Sequence, residues 1–452
     1  MFSRVLVANR GEIAVRVIRA LHELDVEAVA VFSTADRDAL HVELADQAVC
    51  IGPPPAADSY LEIRNVVAAA ETTGCDAVHP GYGFLAENPV FVRACEDSDL
   101  VFIGPPADVM ERMGNKVRAK EEMRAAGVPL VPGTDGAGSL EELRRAALEA
   151  GFPVLLKAAA GGGGKGMRMV LSEDELESAY GAASAEAEAA FGDDSLYLEK
   201  ALSPARHVEI QVLCDMEGGV LTLGERECSI QRRHQKLIEE SPSVALDPET
   251  REEMEHAVER ACGSIGYRNA GTFEFLLGQE GGFHFIELNC RLQVEHPVSE
   301  LVTGIDIVRE QVRLAAGERL ETTGRAPRRG HAIEVRINAE DPSRGFVPSP
   351  GTLTRFHPPL GAGVRVDTAV REGSVIPPYY DSMIAKVIVE DETRDLAIAR
   401  CVRALSELEI EGIPTTRELA LDVLGSPEFR RGEYSTTTLA ELEGRVPSLS
   451  LA

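Results

Sequence analysis

The sequence contains no apolar run approaching the roughly 18 residues that span a bilayer, which argues against a transmembrane helix. The opening stretch, Met1 to Arg10, has too short an apolar part for a secretory signal and is soon broken by charge, so a cytoplasmic protein is expected. Cysteine is sparse. Cys50, Cys75, Cys95, Cys214, Cys228, Cys262, Cys290 and Cys401 show neither Cys-x-x-Cys nor Cys/His ligand spacing, which argues against a zinc knuckle or a redox pair and leaves reduced core thiols. Positive charge is also short: 46 Lys and Arg stand against 74 Asp and Glu, a formal charge of -28. That balance disfavours duplex nucleic acid or an anionic membrane as partner, and any anionic substrate must meet a local basic cluster. No fixed-period repeat or low-complexity tract is present. What remains is a chain of 452 residues, about three times a typical domain of roughly 150, enough for two or three domains with packed cores.

Arg4 to Ala8 reads as a buried strand, Glu12 to Leu24 as a helix with Ile13, Val17, Ile18 and Leu21 on one stripe, and Glu27 to Phe32 as a second strand. Ala77-Val78-His79 leads into the turn Pro80-Gly81-Tyr82-Gly83, a helix near Pro89 to Asp97 and a strand Leu100 to Ile103. This alternation predicts a parallel, doubly wound α/β sheet. Its first turn, Asn9 to Ala14, lacks the G-x-G-x-x-G that lets backbone approach a pyrophosphate, which argues against NAD there. Asn9 to Glu12 suits a helix N-terminus and suits direct substrate contact, and the residues alone leave both open.

The strongest loop signal is Lys157-Ala158-Ala159-Ala160-Gly161-Gly162-Gly163-Gly164-Lys165-Gly166-Met167-Arg168, because bare glycine amides can close over phosphate oxygens. Gly161, Gly163 and Gly166 match G-x-G-x-x-G, yet Met167 to Leu171 reads as a strand and not a helix, and no Gly-Lys-Ser/Thr makes a P-loop. Strand, glycine turn and strand make a hairpin flap, with Lys157 and Lys165 available for phosphate charge. A plain surface hairpin is the competing reading.

Gly271 to Arg291 forms two apolar runs about Glu280-Gly281-Gly282, a second hairpin. A turn centred between Glu280 and Gly281 sets Glu274 across from Glu287, and a centre one residue along pairs Glu274 with Asn289. Both registers put Glu274, Glu287 and Asn289 on one face. Opposed carboxylates repel, so either one is protonated or a cation sits between them, and oxygen-only ligands suit magnesium or manganese. Polar spacing of two continues through Arg291, Gln293 and Glu295. Glu225 to Lys236 is a basic island in an acidic chain, able to hold an anion or to serve as a solvated turn.

A glycine flap followed downstream by Glu/Glu/Asn ligands on paired strands, after a nucleotide-type domain without its fingerprint, resembles the ATP-grasp superfamily. Leu6 to Ala14, His79 to Asn88, Arg206 to Gln211, Gln231 to Lys236, Asn289 to His296 and Tyr380 to Lys386 are similar to one branch of it, biotin carboxylase. Spread in order over nearly the whole chain, these segments are specific together. The fold so expected has a Rossmann-like N-terminal domain at 1–112 and an ATP-grasp domain at 113–330. A helical linker spans Met113 to Gly127, and a mobile glycine-rich lid at 131–202 hinges at Pro132 to Gly136. A β-rich C-terminal domain at 331–452 is closed by a helix from Thr393 to Leu408.

The resemblance implies that Lys116, Lys157, Gly161, Gly162, Gly163, Gly164, Gly166, Glu199, Lys200, Leu202, His207, Gln231, His234 and Glu274 bind ATP, with the backbone at Lys200 and Leu202 meeting adenine. Glu274, Glu287 and Asn289 would hold magnesium or manganese. Glu295 would deprotonate bicarbonate, Arg291 and Lys236 would be its anion partners, and Gln293 and Val294 would line the bicarbonate and biotin site. Arg336 would stabilise enolised biotin. The implied reaction is ATP-dependent carboxylation of biotin through carboxyphosphate, the first half-reaction of an acetyl-CoA or acyl-CoA carboxylase, as in fatty acid biosynthesis.

The implied partners are a biotin carboxyl carrier protein, a second copy in a homodimer and a carboxyltransferase subunit. The missing Met-Lys-Met carrier motif and the end at Ala452 lead us to expect a free-standing component. Two departures from the family pattern stand out: Cys290, which alternation points away from the metal face, and Thr416 where asparagine is often seen. The competing functions are an ATP-grasp ligase acting on another carboxylate and a nucleotide-sensing module without turnover. Arg291, Glu295 and Arg336 have no evident work in the first, and intact Glu274, Glu287, Asn289 and Glu295 argue against the second.

Overall fold

The computed structural model describes residues 1–134, 136–159, 167–278 and 281–449. Five short strands, Arg4–Val7, Glu27–Ser33, Gln47–Gly52, Ala77–His79 and Val101–Phe102, form a parallel sheet in the spatial order third, second, first, fourth, fifth. The doubly wound sheet expected from the alternation is present. Gln47–Gly52 and the helix Ile63–Thr73 are additions to it: the strand is a half-exposed edge, so its apolar residues carry no clean period. Helix Gly11–Glu23 bears the expected stripe, but Ala14, Val15 and Ala20 are buried as well. The helix Ile307–Ala315 and the strand Val364–Thr368 pack against it, so more than the sheet-facing stripe leaves water. The expected linker is two helices, Ala107–Gly114 and Lys116–Ala125, broken at Asn115, whose side chain caps the second by accepting from Arg118 N at 3.0 Å.

Val154–Ala158, Arg168–Val170 and Leu196–Lys200 make a separate antiparallel sheet. It shares a core of its own with the helices Leu140–Ala150 and Glu173–Phe191, through Leu143, Leu156, Leu176, Leu196 and Leu198. Leu156 pairs with Arg168, so the strands flanking the glycine run are partners, as the flap reading requires. Gly161, Gly162, Gly163, Gly164, Lys165 and Gly166 lie outside the described residues, as does Asp135 of the expected hinge. The rest of that hinge runs along Leu196–Lys200: Thr134 N donates to Leu198 O at 2.9 Å and Lys200 N to Pro132 O at 2.7 Å. Only glycine fits at position 133, where a Cβ would lie 2.1 Å from Leu198 O.

The largest sheet has nine strands. Its main path runs Phe283–Asn289, Asn269–Leu277, Arg206–Cys214, Val220–Arg232, Gln235–Ser241, His331–Asn338, Met383–Asp391 and Val364–Thr368. The expected division near 330 falls inside this sheet, because Gln235–Ser241 pairs antiparallel with His331–Asn338. The closing helix is Arg394–Glu407, capped by Thr393, and it is followed by the helices Arg417–Gly425 and Pro427–Arg431, so the C-terminal part holds more helix than expected. Among the described residues no helix is long and apolar enough to cross a membrane.

Candidate active site

Strand pairing sets four charged residues in one row across the large sheet. Arg226 stands opposite Glu209, Glu209 opposite Glu274, and Glu274 opposite Glu287. Two positions along, Gln211, Thr272 and Asn289 form the next row on the same face. The first of the two expected hairpin registers is therefore the one adopted. Beyond Glu274 the register shifts, so that Phe275 pairs with Phe285 and Ile286 is an extra residue. Strict alternation back from Glu287 would have turned Phe285 and Phe283 onto the carboxylate face. The bulge instead lets both join Phe273, Phe275, Leu288 and Cys290 in the core, which also places Cys290 away from the carboxylates, as expected.

Three buried glutamates converge on one ammonium group. Lys236 Nζ donates to Glu209 Oε2 at 2.5 Å, Glu274 Oε1 at 2.9 Å and Glu295 Oε1 at 2.5 Å. Burial alone would drive this lysine toward neutrality, but the three carboxylates outweigh it and raise its pKa well above the ordinary value. Wholly buried Arg226 fixes Glu209 from the other side, Nε to Oε1 at 2.5 Å, and is itself held by Gln211 and Thr272. Glu295 accepts a further bond from Arg336 Nη2 at 2.9 Å. Burial opposes its charge, yet Lys236, Arg336 and Arg226 hold its pKa well below the usual carboxylate range. An anion entering beside these cations would share them, and the basicity of Glu295 would rise.

Glu274 and Glu287 differ in protonation tendency. Glu274 is held ionised against its burial by Lys236 and by His207, whose Nε2 lies 2.9 Å from Oε2. Glu287 is pushed up by burial and by Glu274, with Lys116 opposing. A divalent cation between the two would remove both penalties, and with the Asn289 amide the donor set is all oxygen, so the residues fit magnesium or manganese. Asn289 here donates Nδ2 to Glu274 Oε1 at 2.9 Å and accepts Arg291 Nη2 on Oδ1 at 3.0 Å. Turning that oxygen to a cation therefore frees Arg291 Nη2. His207, Glu209 and Glu274 also bring three ligand atoms together, but Lys236 already bonds two of these carboxylates.

Arg291 is aimed by its neighbours: Nε donates to Glu87 at 2.9 Å and Nη1 to Gln293 Oε1 at 2.8 Å, while Gln293 Nε2 reaches Glu274 at 3.0 Å. On the lid side, Lys157 Nζ holds Glu199 Oε2 at 2.5 Å and Lys120 holds Oε1 at 3.0 Å, so the Glu199 side chain is committed to lysines. Lys116 is lowered by burial and by the nearby charge of Lys157, two cations that an anion between them would relieve. Lys200 Nζ turns into the protein, to Gly151 O at 2.8 Å and Phe152 O at 3.2 Å, and its backbone N donates to Pro132 O at 2.7 Å. Leu202 is half-buried beside it, and Gln231 is buried near the end of its strand. His234 is exposed in the two-residue turn Arg233-His234, where both residues have positive φ, 49° and 67°.

Of the two roles left open for Asn9 to Glu12, the helix N-terminus is present, with the helix starting at Gly11. Asn9 Nδ2 donates to Pro80 O at 2.7 Å and Tyr82 O at 2.8 Å, and buried Glu12 accepts the Tyr82 hydroxyl and lies 3.3 Å from Lys386 Nζ. That segment fastens the first sheet to the strand Met383–Asp391. Lys386 also donates to Val294 O at 2.8 Å, fixing the backbone next to Glu295. Thr416 Oγ1 accepts from Asn338 N at 2.9 Å and donates to Arg336 O at 3.1 Å, so it secures the strand that carries Arg336. Sequence reading assigned no site role to Glu87, Glu209, Arg226 or Lys386. Glu87 and Lys386 stand inside motifs already singled out, and Glu209 follows His207 at the strand spacing of two.

Residues 1–110 match the family model described as "Biotin carboxylase, N-terminal domain". Residues 115–323 match "Carbamoyl-phosphate synthase L chain, ATP binding domain", and residues 334–441 match "Biotin carboxylase C-terminal domain". The chain is 53% identical over 442 residues to biotin carboxylase 1 of Bacillus subtilis, covering 97% of this chain and 98% of that one. It is 51% identical over 438 residues to a pyruvate carboxylase component of Methanothermobacter thermautotrophicus, covering 96% and 89%. The biotin carboxylase domain dimer of Hydrogenobacter thermophilus 2-oxoglutarate carboxylase, solved in complex with MgADP, ADP and bicarbonate, is similar at a TM-score of 0.95. Sequence identity to it is 49%, with 100% of this chain and 99% of that chain covered.

Proposed function

The chain belongs to the biotin carboxylase family, and from that premise we propose that it carboxylates biotin on a separate carrier protein, using ATP and bicarbonate, as the first half-reaction of an acyl-CoA carboxylase. The observation that carries the reading is one carboxylate, Glu295, gripped by Lys236 at 2.5 Å and Arg336 at 2.9 Å beside the opposed pair Glu274 and Glu287.

ATP binds with its phosphates toward Lys116 and Lys157, and Lys157 exchanges Glu199 for phosphate oxygens. Glu274, Glu287 and Asn289 hold magnesium or manganese, which when bound offsets phosphate charge and polarises the phosphoryl group under attack. Bicarbonate is a poor nucleophile until its proton is drawn off. It enters among Lys236, Arg291, Gln293 and the Val294 backbone, takes up part of the cationic contact that Glu295 enjoyed, and so raises the basicity of the group that removes its proton. Attack on the γ-phosphoryl gives carboxyphosphate and ADP, and carboxyphosphate breaks down to carbon dioxide and phosphate. That phosphate takes the biotin ureido proton while Arg336 neutralises charge developing on the ureido oxygen, and the deprotonated nitrogen attacks the carbon dioxide to give carboxybiotin. Closure of the lid excludes water from the labile intermediate.

The partners that fit this reading, in the cytoplasm, are a biotin carboxyl carrier protein, a second copy of the chain in a homodimer and a carboxyltransferase subunit. Relatives named for pyruvate and 2-oxoglutarate carboxylation share about half their residues with this chain over nearly its full length. That fits an acceptor chosen by the transferase partner. The test is phosphate release from ATP and magnesium with bicarbonate, with and without biotin or a biotinylated carrier, on wild type and Glu295→Gln. We expect biotin-stimulated, bicarbonate-dependent turnover that falls by roughly 100-fold or more in the variant, the range for loss of a general base. Turnover indifferent to both biotin and bicarbonate would overturn the reading in favour of another ATP-grasp ligase.

A further inference from the structure

We propose that Glu239 and Glu334 form a proton-sharing carboxyl pair that positions Arg336, an inference that rests on the biotin-side role given to Arg336 above. The two glutamates stand directly opposite one another on Gln235–Ser241 and His331–Asn338, and both are wholly buried. Glu239 Oε1 accepts from Arg336 Nε at 2.6 Å. Its Oε2 and both oxygens of Glu334 have no hydrogen-bond partner among the described residues. Three orphan oxygens on two buried, opposed carboxylates are costly if both groups are charged, since each lacks the hydrogen bonds that offset desolvation. Side chains directly opposite across a strand pair have Cβ atoms roughly 4.5–5.5 Å apart, within reach of one another. A single proton between them turns repulsion into a donor and acceptor.

The cations decide where that proton sits. Around Glu334 stand Arg336 on its own strand, Glu239 opposite, Lys386 on the neighbouring strand and Glu295 before its helix. Lys386 is committed to Val294 O at 2.8 Å and to Glu12 at 3.3 Å, and Arg336 bonds Glu239 and Glu295. With no cation bonded to it, Glu334 is the protonated member: burial, with Glu239 and Glu295 adding, pushes it well above the usual range. Burial pushes Glu239 up as well, but Arg336 opposes it and holds it at about 7, so Glu239 is the member that keeps the larger share of the charge and grips Arg336.

The grip matters for the order of events. Arg336 is held on Nε by Glu239 and on Nη2 by Glu295. When Glu295 turns to bicarbonate, Glu239 is the contact that keeps the guanidinium plane fixed for biotin. Glu239→Gln retains an acceptor oxygen but no charge, and we expect the biotin-dependent kcat to fall roughly 10- to 100-fold, as loss of a partner that orients a functional group does. The KM for ATP should move less than about twofold, because the residue acts through Arg336 alone. Glu239→Asp, which keeps the charge, should recover part of the loss. Independently, infrared spectra of wild type at neutral pH should show a carboxylic-acid carbonyl band that is lost in Glu334→Gln. Wild-type biotin kcat in Glu239→Gln, or an acid band unaltered in Glu334→Gln, would overturn the pairing. If wild type itself shows no biotin-stimulated turnover, the parent reading fails, while the infrared comparison still decides the pair; it also decides should Glu239→Gln not fold.

Discussion

Glu87 stands on the loop before the helix Pro89–Asp97, and it accepts Cys290 N at 3.0 Å and Arg291 Nε at 2.9 Å. Arg291, in the segment between the strand Phe283–Asn289 and the helix His296–Thr303, is thus aimed by a residue of the N-terminal part of the chain. Glu87→Gln removes the charge but leaves an acceptor, and a hydrogen bond to a charged group contributes about 1.5 kcal/mol or more. We expect the KM for bicarbonate to rise roughly 10-fold with the KM for ATP little changed. Initial rates over both substrates check it, and a rise confined to ATP would instead tie Glu87 to the neighbouring Glu287. At this scale the sequence was most legible where chemistry and period coincided. Glu274 and Glu287 could be paired by counting from the turn, because both are polar residues inside apolar strands. Arg226 and Glu209 were illegible as a pair: each looks like an ordinary charged strand residue, and that both are wholly buried and joined at 2.5 Å depends on which strands become neighbours.

Elements carry constraints that residue types only hint at. The two-residue loop Arg233-His234 joins Val220–Arg232 to Gln235–Ser241, with Arg232 paired to Gln235 and positive φ at both loop positions. Hairpin loops of this kind favour Asn-Gly, and a non-glycine residue held in a sparsely populated backbone region costs of order 1 kcal/mol or more. Arg and His in those places trade stability for a basic tip, and the family resemblance gives His234 to ATP. The double change Arg233→Asn with His234→Gly should raise stability by about 1 kcal/mol and weaken nucleotide binding. Calorimetric unfolding and ADP titration would check it, and a fall in stability would show that Arg233 and His234 make contacts worth more than the strain. This turn's geometry could not be read in advance, since neither residue type marks it. The bulge at Ile286 was equally hidden: alternation is read by counting, and an inserted residue is visible only once the partner strand is known.

At the scale of the whole molecule, the division expected near 330 is bridged by hydrogen-bonded strands, and the helices that follow are fastened at one carboxylate. Glu240 accepts Arg394 Nε at 2.7 Å and Nη2 at 3.1 Å, lies 2.6 Å from His331 Nε2, and takes the Tyr434 hydroxyl. Four stretches of chain meet there, a convergence that no local pattern announces. Burial would raise the pKa of Glu240, but its hydrogen bonds to His331 and Arg394 outweigh that and hold it at about 2, against an ordinary 4.5. The folded state therefore binds this proton less readily than the unfolded chain. The contribution is present in full above the ordinary value, fades as pH falls, and is gone below about 2. A shift of this size corresponds to on the order of 3 kcal/mol. Glu240→Gln should lower stability by about that amount at neutral pH and flatten the loss between pH 4.5 and about 2, as followed by urea unfolding across that range. An acid slope unchanged in the variant would assign the loss to other depressed carboxylates: Glu274 and Glu295 in the site, and Glu300 and Asp367, which tie Arg16 and Arg365 on the opposite flank of the same sheet.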